Sequence, residues 1–190
     1  MEDLRFGYEG GEYTGNIVID YVQKPRVNGK LSADNVKLEN IGGKIYKITS
    51  GDATASAEFS SAAGSVEEFI GELSGQMDFS IRNFGFEGLD FEAIAQDLQS
   101  RSHSNGVFQM VRDNLQQGHT NFSSFSGKVK MNGGVWNFEN AQLNNDIIAI
   151  SMKGEDDLSN WRMHNDFKAK FKKLDLPEFS FVMSGLINKP

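Results

Sequence analysis

Three histidines, one acidic triplet and one lysine cluster are the residues of this 190-residue chain whose types could do chemistry. His103, His119 and His164 lie far apart: His103 in a polar Arg-Ser-His-Ser-Asn run, His119 just after Gly118, His164 on the polar side of an alternating segment. No serine or acid is spaced to build a relay with any of them, so surface positions are predicted. Glu155-Asp156-Asp157 offers oxygen ligands suited to a hard cation. It has neither ligand-like spacing nor an internal glycine, and it reads as a solvated turn. Phosphate loops, dinucleotide fingerprints, HExxH and nucleophile elbows are absent. The lack of cysteine removes thiol catalysis, disulfides and cysteine-ligated metals. The expectation is a protein without enzymatic activity, cofactor or metal.

Lys168, Lys170, Lys172 and Lys173 form the basic cluster. Three of them share the outer strand face, so the cluster could meet anionic lipid headgroups, at about 1 kcal/mol each near the membrane. The alternative is that they keep a strand with a greasy opposite face soluble and guard a sheet edge. A net charge of −7 and a pI near 5.0 argue against nucleic acid as partner. No window approaches the roughly 18 apolar residues of a membrane span. Met1 to Asp20 carries neither a basic nor an apolar leader segment, so no signal peptide is expected there.

The elements that must position these groups announce themselves by a period of two. Met163, Asn165, Phe167, Ala169 and Phe171 share one face, while His164, Asp166, Lys168 and Lys170 take the other. Successive strand side chains point to opposite faces, so this is a strand with one oily and one wet side. The same alternation runs through Ile17, Ile19 and Tyr21, through Met77, Phe79 and Ile81, and through Phe179, Phe181 and Met183. Further runs lie at 27–33, 44–49, 53–59, 128–132, 135–139 and 147–152. Gly10-Gly11, Gly42-Gly43, Asn132-Gly133-Gly134 and Asn144-Asn145-Asp146 separate them and supply positive-φ turn positions. Nine to eleven strands are predicted, in a mainly β, antiparallel fold with a curled or twisted sheet.

Three short helices are expected at about 65–74, 90–100 and 107–117. Ser65 with Glu68 has the form of a capping box. Asp90 can cap a helix whose Phe91, Ile94, Ala95 and Leu98 make one apolar stripe. Phe108, Val111 and Leu115 make another, ending at Gly118. Helices this short are marginal alone, so each must dock on an open end or edge of the sheet.

Several segments, in order, resemble the C-terminal region of the AsmA family of bacterial envelope proteins. These are Gly11 to Asp20, then Pro25 to Ala33 leading into Asn35 to Leu38. Next come Ser65 to Gly75, Gln76 to Arg82 and Phe86 to Phe91, which resemble a short helix, an LxG strand and a GxDL helix entry. Thr120 to Met131 with Gly134 and Val135, Ile148 to Gly154, and Leu176 to Pro190 continue the likeness, the last resembling an LPVxxxxxGxxxxP ending. Phe91 stands where the family has leucine and Asn121 where it often has proline.

The resemblance implies a single domain over 1–190, the C-terminal part of a longer protein whose anchor helix in the inner membrane lies upstream. It implies a place on the periplasmic face of that membrane, a part in outer-membrane biogenesis, and transport of phospholipid or another envelope lipid along a hydrophobic β groove. Acyl chains need only apolar surface, at about 0.8 kcal/mol per buried methylene. The candidate groove face is Ile17, Ile19, Tyr21, Met77, Phe79 and Ile81 with Phe167, Phe171, Phe179, Phe181 and Met183; Trp136, Phe138, Ile148 and Ile150 stand next. The alternative is a closed scaffold, sealed by the Phe91, Ile94, Leu98 stripe, that assists assembly of outer-membrane components without holding lipid. Other envelope proteins, or a second copy paired by an edge strand, are further partners.

Overall fold

A computed structural model describes residues 2–8, 10–21, 24–39, 41–42, 47–62, 64–88, 90–100, 118–175 and 177–187. Eleven strands are present: β1 (Glu2–Tyr8), β2 (Gly11–Asp20), β3 (Arg26–Lys37), β4 (Ile41–Gly42), β5 (Lys47–Ala62), β6 (Ser74–Glu87), β7 (His119–Asn132), β8 (Val135–Asn144), β9 (Ile148–Asp157), β10 (Arg162–Phe171) and β11 (Phe179–Leu186). They form one antiparallel meander in the order β1-β2-β3-β5-β6-β7-β8-β9-β10-β11, with β4 paired to β5. β1 and β11 are free edges, so the sheet is not closed.

Strand runs that the sequence separates are continuous here. Residues 47–49 and 53–59 belong to one strand, β5, of 16 residues, while 44–46 lie outside the described residues. The turn chemistry differs in one place. Gly10, Gly133 and Gly134 have the positive φ expected of them, but none of Asn144, Asn145 and Asp146 does. Instead Asn145 Oδ1 accepts from the Ile147 and Ile148 backbone N–H groups at 2.9 and 2.8 Å, an Asx turn that needs no left-handed residue.

Two helices lie among the described residues. α1 (Val66–Gly71) begins at Ser65, whose Oγ accepts from the Glu68 N–H at 3.1 Å. α2 (Phe91–Ser100) begins at Asp90, whose Oδ1 accepts from the Ala93 N–H at 2.8 Å. The third expected helix, 107–117, falls outside the described residues.

The core sits under α2. Phe91, Ile94 and Ala95 are buried against Phe84, Phe122, Ile148, Ile150, Ala169 and Phe171. Burial of a large apolar side chain stabilises by about 1.5–3 kcal/mol, so this cluster holds a helix too short to persist alone. α1 is tied down differently, with no buried residue. Ser61 Oγ donates to the Phe69 carbonyl at 2.5 Å, the Phe69 ring meets Phe59 edge-on, and Lys24 pairs with Glu72 at 2.7 Å.

Register shifts bend the sheet. They occur on β3 after Ala33, twice where β5 meets β6 between Ile48 and Asp52, and where β7 meets β8 and β8 meets β9. Each inserts residues that oppose nothing and increases local twist. Asn83, at φ 53°, adds a reversal of parity on β6. The inward set is Met77, Phe79, Ile81 before it and Phe84, Phe86 after it.

Candidate functional site

Directly opposed residues of an antiparallel pair share a face, so the ladder registers trace rows across the concave side. One row runs Ile81, Phe125, Leu143, Ile150, Ala169, Phe179. A second joins Ala141, Met152, Phe167 and Phe181, with Phe79 packed edge-on against Phe125 beside it. A third runs Met77, Val129, Phe138, Gly154, Asn165, Met183. The last runs Gly75, Met131, Trp136, Asp156, Met163, Gly185.

These rows enclose a groove of about 480 Å³, within the range of about 300–1,000 Å³ usual for ligand pockets. Its walls include Ala53 and Ala55 of β5 on one side and Phe181 and Met183 of β11 on the other. In a flat sheet those strands, six places apart, would stand about 29 Å from one another at roughly 4.8 Å per strand. Both line one cavity, so the sheet curls through β5–β11. Small alanines on β5 face aromatic rings opposite, which leaves the space unfilled. Phe84, Phe91 and Phe122 close one end beneath α2.

Of the candidate groove residues, Met77, Phe79, Ile81, Phe167, Phe181 and Met183 line this cavity, as do Trp136, Phe138 and Ile150. Phe171 and Ile148 lie beneath α2 in the core, with Phe179 packed at its border. Ile17, Ile19 and Tyr21 stand outside the cavity. Ile19 and Tyr21 are 46% and 73% exposed, because β1 and β2 continue the apolar face beyond the curled part. Phe84, Phe86, Phe122 and Phe125 line the groove without having been singled out from the sequence. The clue to the first two was Asn83, a residue type that tolerates left-handed backbone.

Polar groups gather at one end of the groove, Asp156 and Trp136 in the last row and Asn165 in the row beside it. Asn165, 2% exposed, donates through Nδ2 to Asp156 Oδ1 at 2.8 Å. Its own Oδ1 is buried without a partner, and so is Trp136 Nε1 on the strand facing Asp156. Burial raises the Asp156 carboxyl above its ordinary range, partly offset by the Asn165 amide. Gly154, at φ 153°, makes room for that amide: a Cβ there would lie 2.5 Å from Asn165 Oδ1 and 2.2 Å from the His164 carbonyl.

The acidic triplet lies on β9, not on a turn. Its members alternate, with Asp156 inward and Asp157 accepting from the Asn160 N–H at 3.0 Å, so they do not converge on one cation. Among the described residues no three metal-ligating side chains cluster. His164 is exposed, His119 is exposed with a ring nitrogen 2.8 Å from Asn121 Oδ1, and His103 lies outside the described residues.

Lys168 and Lys170 project from the convex face of β10, and Lys172 and Lys173 follow in the turn, all exposed. β11 lies outside β10, so the cluster does not occupy the sheet edge. The rest of the convex face is patterned by cross-strand pairs such as Lys30–Glu58, Lys130–Glu139 and Asp78–Lys128. No described helix is long and apolar enough to cross a membrane.

Compared with known proteins, residues 1–141 match the model of the AsmA family. No curated protein and no solved structure matches the chain. The family match ends within β8, and β9–β11 complete the groove beyond it.

Proposed function

The chain belongs to the AsmA family, and from that premise we propose that it is a non-enzymatic lipid-handling part of a Gram-negative envelope protein, holding acyl chains in the groove during outer-membrane biogenesis. The observation that carries this reading is the cavity left between β5 and β11 after α2 has docked. A sealed scaffold would fill that space with side chains, as protein interiors do. Its lining is almost wholly hydrocarbon and aromatic, which suits a ligand recognised by burial alone.

The groove also has the right reach. Ile150 and Asp156 are six residues apart on β9, or about 20 Å along the strand. A bilayer leaflet's hydrocarbon layer is about 15 Å deep, half of a core near 30 Å. An acyl chain entering at the polar end would therefore end near the floor beneath α2. The work is transfer and shielding, with no bond made or broken. The proposed place of work is the periplasmic face of the inner membrane, in keeping with the family's envelope association, with the convex lysines against an anionic leaflet.

Displacement of an environment-sensitive fluorescent fatty acid tests the reading. Wild type is expected to bind the probe and release it to diacyl phospholipid, whereas Phe79→Glu and Phe181→Glu, still folded, lose binding. Full probe binding by both folded variants would overturn it.

A further inference from the structure

The apolar groove contains three polar valences that the fold leaves unmet. Asp156 accepts one hydrogen bond, from Asn165, and its second oxygen has no protein partner among the described residues. Asn165 Oδ1 is buried and unpartnered, and Trp136 Nε1–H is buried and unpartnered. Asp156 and Trp136 are directly opposed across β8 and β9, and Asn165 lies one row deeper on β10, hydrogen-bonded to Asp156 and separated from Trp136 by β9. Buried polar atoms are almost always satisfied, so two orphans beside a half-satisfied carboxylate in one wall point to a ligand.

We propose that Asp156, Asn165 and Trp136 form a headgroup subsite for a zwitterionic aminoalkyl phosphate lipid, whose ammonium donates to Asp156 and Asn165 Oδ1 while a phosphate oxygen accepts from Trp136 Nε1–H. The proposal rests on the groove holding lipid. Its chemistry follows from the valences: two acceptors and a negative charge call for a cationic donor, and one donor beside them calls for an acceptor. A lone phosphate would meet the carboxylate's repulsion. A trimethylated ammonium would bring charge but no N–H. The position agrees, because these residues lie at the end of the groove away from α2, where a headgroup must remain when its chains run inward.

Delipidated wild-type chain is incubated with vesicles holding equal parts of three diacyl lipids with identical chains. Their headgroups are aminoethyl phosphate, its N-trimethyl analogue and glycerol phosphate. The protein is recovered and its lipid extracted and quantified. The aminoethyl lipid is expected to be enriched about fivefold over each of the others, the ratio that about 1 kcal/mol of discrimination gives. Asp156→Asn should bring the ratio close to one, and Trp136→Phe, which keeps a ring but drops the N–H, should lower it. Recovered lipid that mirrors the vesicle composition, equal enrichment of the trimethyl lipid, or an enrichment unchanged in Asp156→Asn would overturn the subsite while leaving the groove reading standing. Recovery of no lipid of any class would overturn both.

Discussion

Asn165 Nδ2 donates to Asp156 Oδ1 at 2.8 Å across β9 and β10, inside a wall that is otherwise hydrocarbon and aromatic. The pair couples two properties of the protein. It marks the end of the groove away from α2, and it leaves a carboxylate where burial disfavours its charge. Stability and recognition should therefore respond to it in opposite senses.

Because burial raises the folded-state pKa of Asp156 above the unfolded value, the folded protein holds this proton more tightly. That contribution is fully present below the unfolded pKa and is lost as pH rises through the folded one. At neutral pH the ionised group is therefore a cost. Asp156→Asn is expected to raise stability at pH 7 and to shrink that advantage on acidification. Urea unfolding from pH 4 to 7 measures this. A variant less stable than wild type at pH 7 would show that the carboxylate is compensated.

Acid should act oppositely through two surface ion pairs. Asp52 is held below its usual range by hydrogen bonds from Lys37 and Asn83, and Glu72 by its hydrogen bond and ion pair with Lys24. Both contribute stability that is present above their unfolded pKa values and lost as pH falls through the folded ones. Since both pairs sit at the surface, with lysine partners about half exposed, removing either carboxylate is expected to move the unfolding midpoint little at pH 7. It should, however, blunt the loss of stability below about pH 4, near the unperturbed carboxylate values. Thermal melts of Asp52→Asn and Glu72→Gln over that range check it.

Groove and core should separate under mutation. Phe122, 2% exposed beneath α2, belongs to the core, and Phe122→Ala is expected to cost about 3–5 kcal/mol. Phe79 is half-buried in the groove wall. Phe79→Glu is expected to cost less than about 2 kcal/mol, since its side chain can reach water. Denaturant midpoints for the two variants decide. Equal, large losses would place Phe79 in a closed core.

The helix that closes the groove depends on its cap. Asp90→Ala removes the acceptor for the Ala93 N–H and is expected to destabilise by about 0.5–2 kcal/mol. Hydrogen exchange should quicken first in α2, with β9 and β10 little changed. Uniform quickening would mean that α2 and the sheet unfold as one unit.

Much of this was legible because the period of two is unbroken where it matters most. Met163, Asn165, Phe167, Ala169 and Phe171 share the concave face of β10, as their alternation requires. The Ser65 and Asp90 caps were readable because each chemistry is local to one helical turn. Alternation assigns a face but not its curvature. Ile19 and Tyr21 alternate just as Met77 and Phe79 do, yet bulges on β3, β5, β6 and β8 decide which strands curl around the cavity. Parity also changes where one asparagine, Asn83, turns left-handed, and so Phe84 and Phe86 escaped a strict count of two. The polar end depended on three strands coming into register, a non-local fact. Within the sequence, Asn165 was only a polar member of an oily face, and Asp156 only the middle of an acidic triplet.

The convex lysines give a separate test. Changing Lys168, Lys170, Lys172 and Lys173 together to glutamine is expected to weaken binding to anionic vesicles at least about tenfold, given about 1 kcal/mol per lysine near the surface. Probe binding in the groove should be unaffected. Unaltered vesicle affinity would remove these residues from any membrane contact.

The central claim is that the concave face holds lipid, and native mass spectrometry of the folded protein purified from a bacterial host tests it most directly. A bound species of phospholipid mass at near-stoichiometric abundance is expected, released by solvent extraction and lost in Phe79→Glu. A lipid-free mass for the folded wild-type protein would contradict it and favour a scaffold that works without cargo.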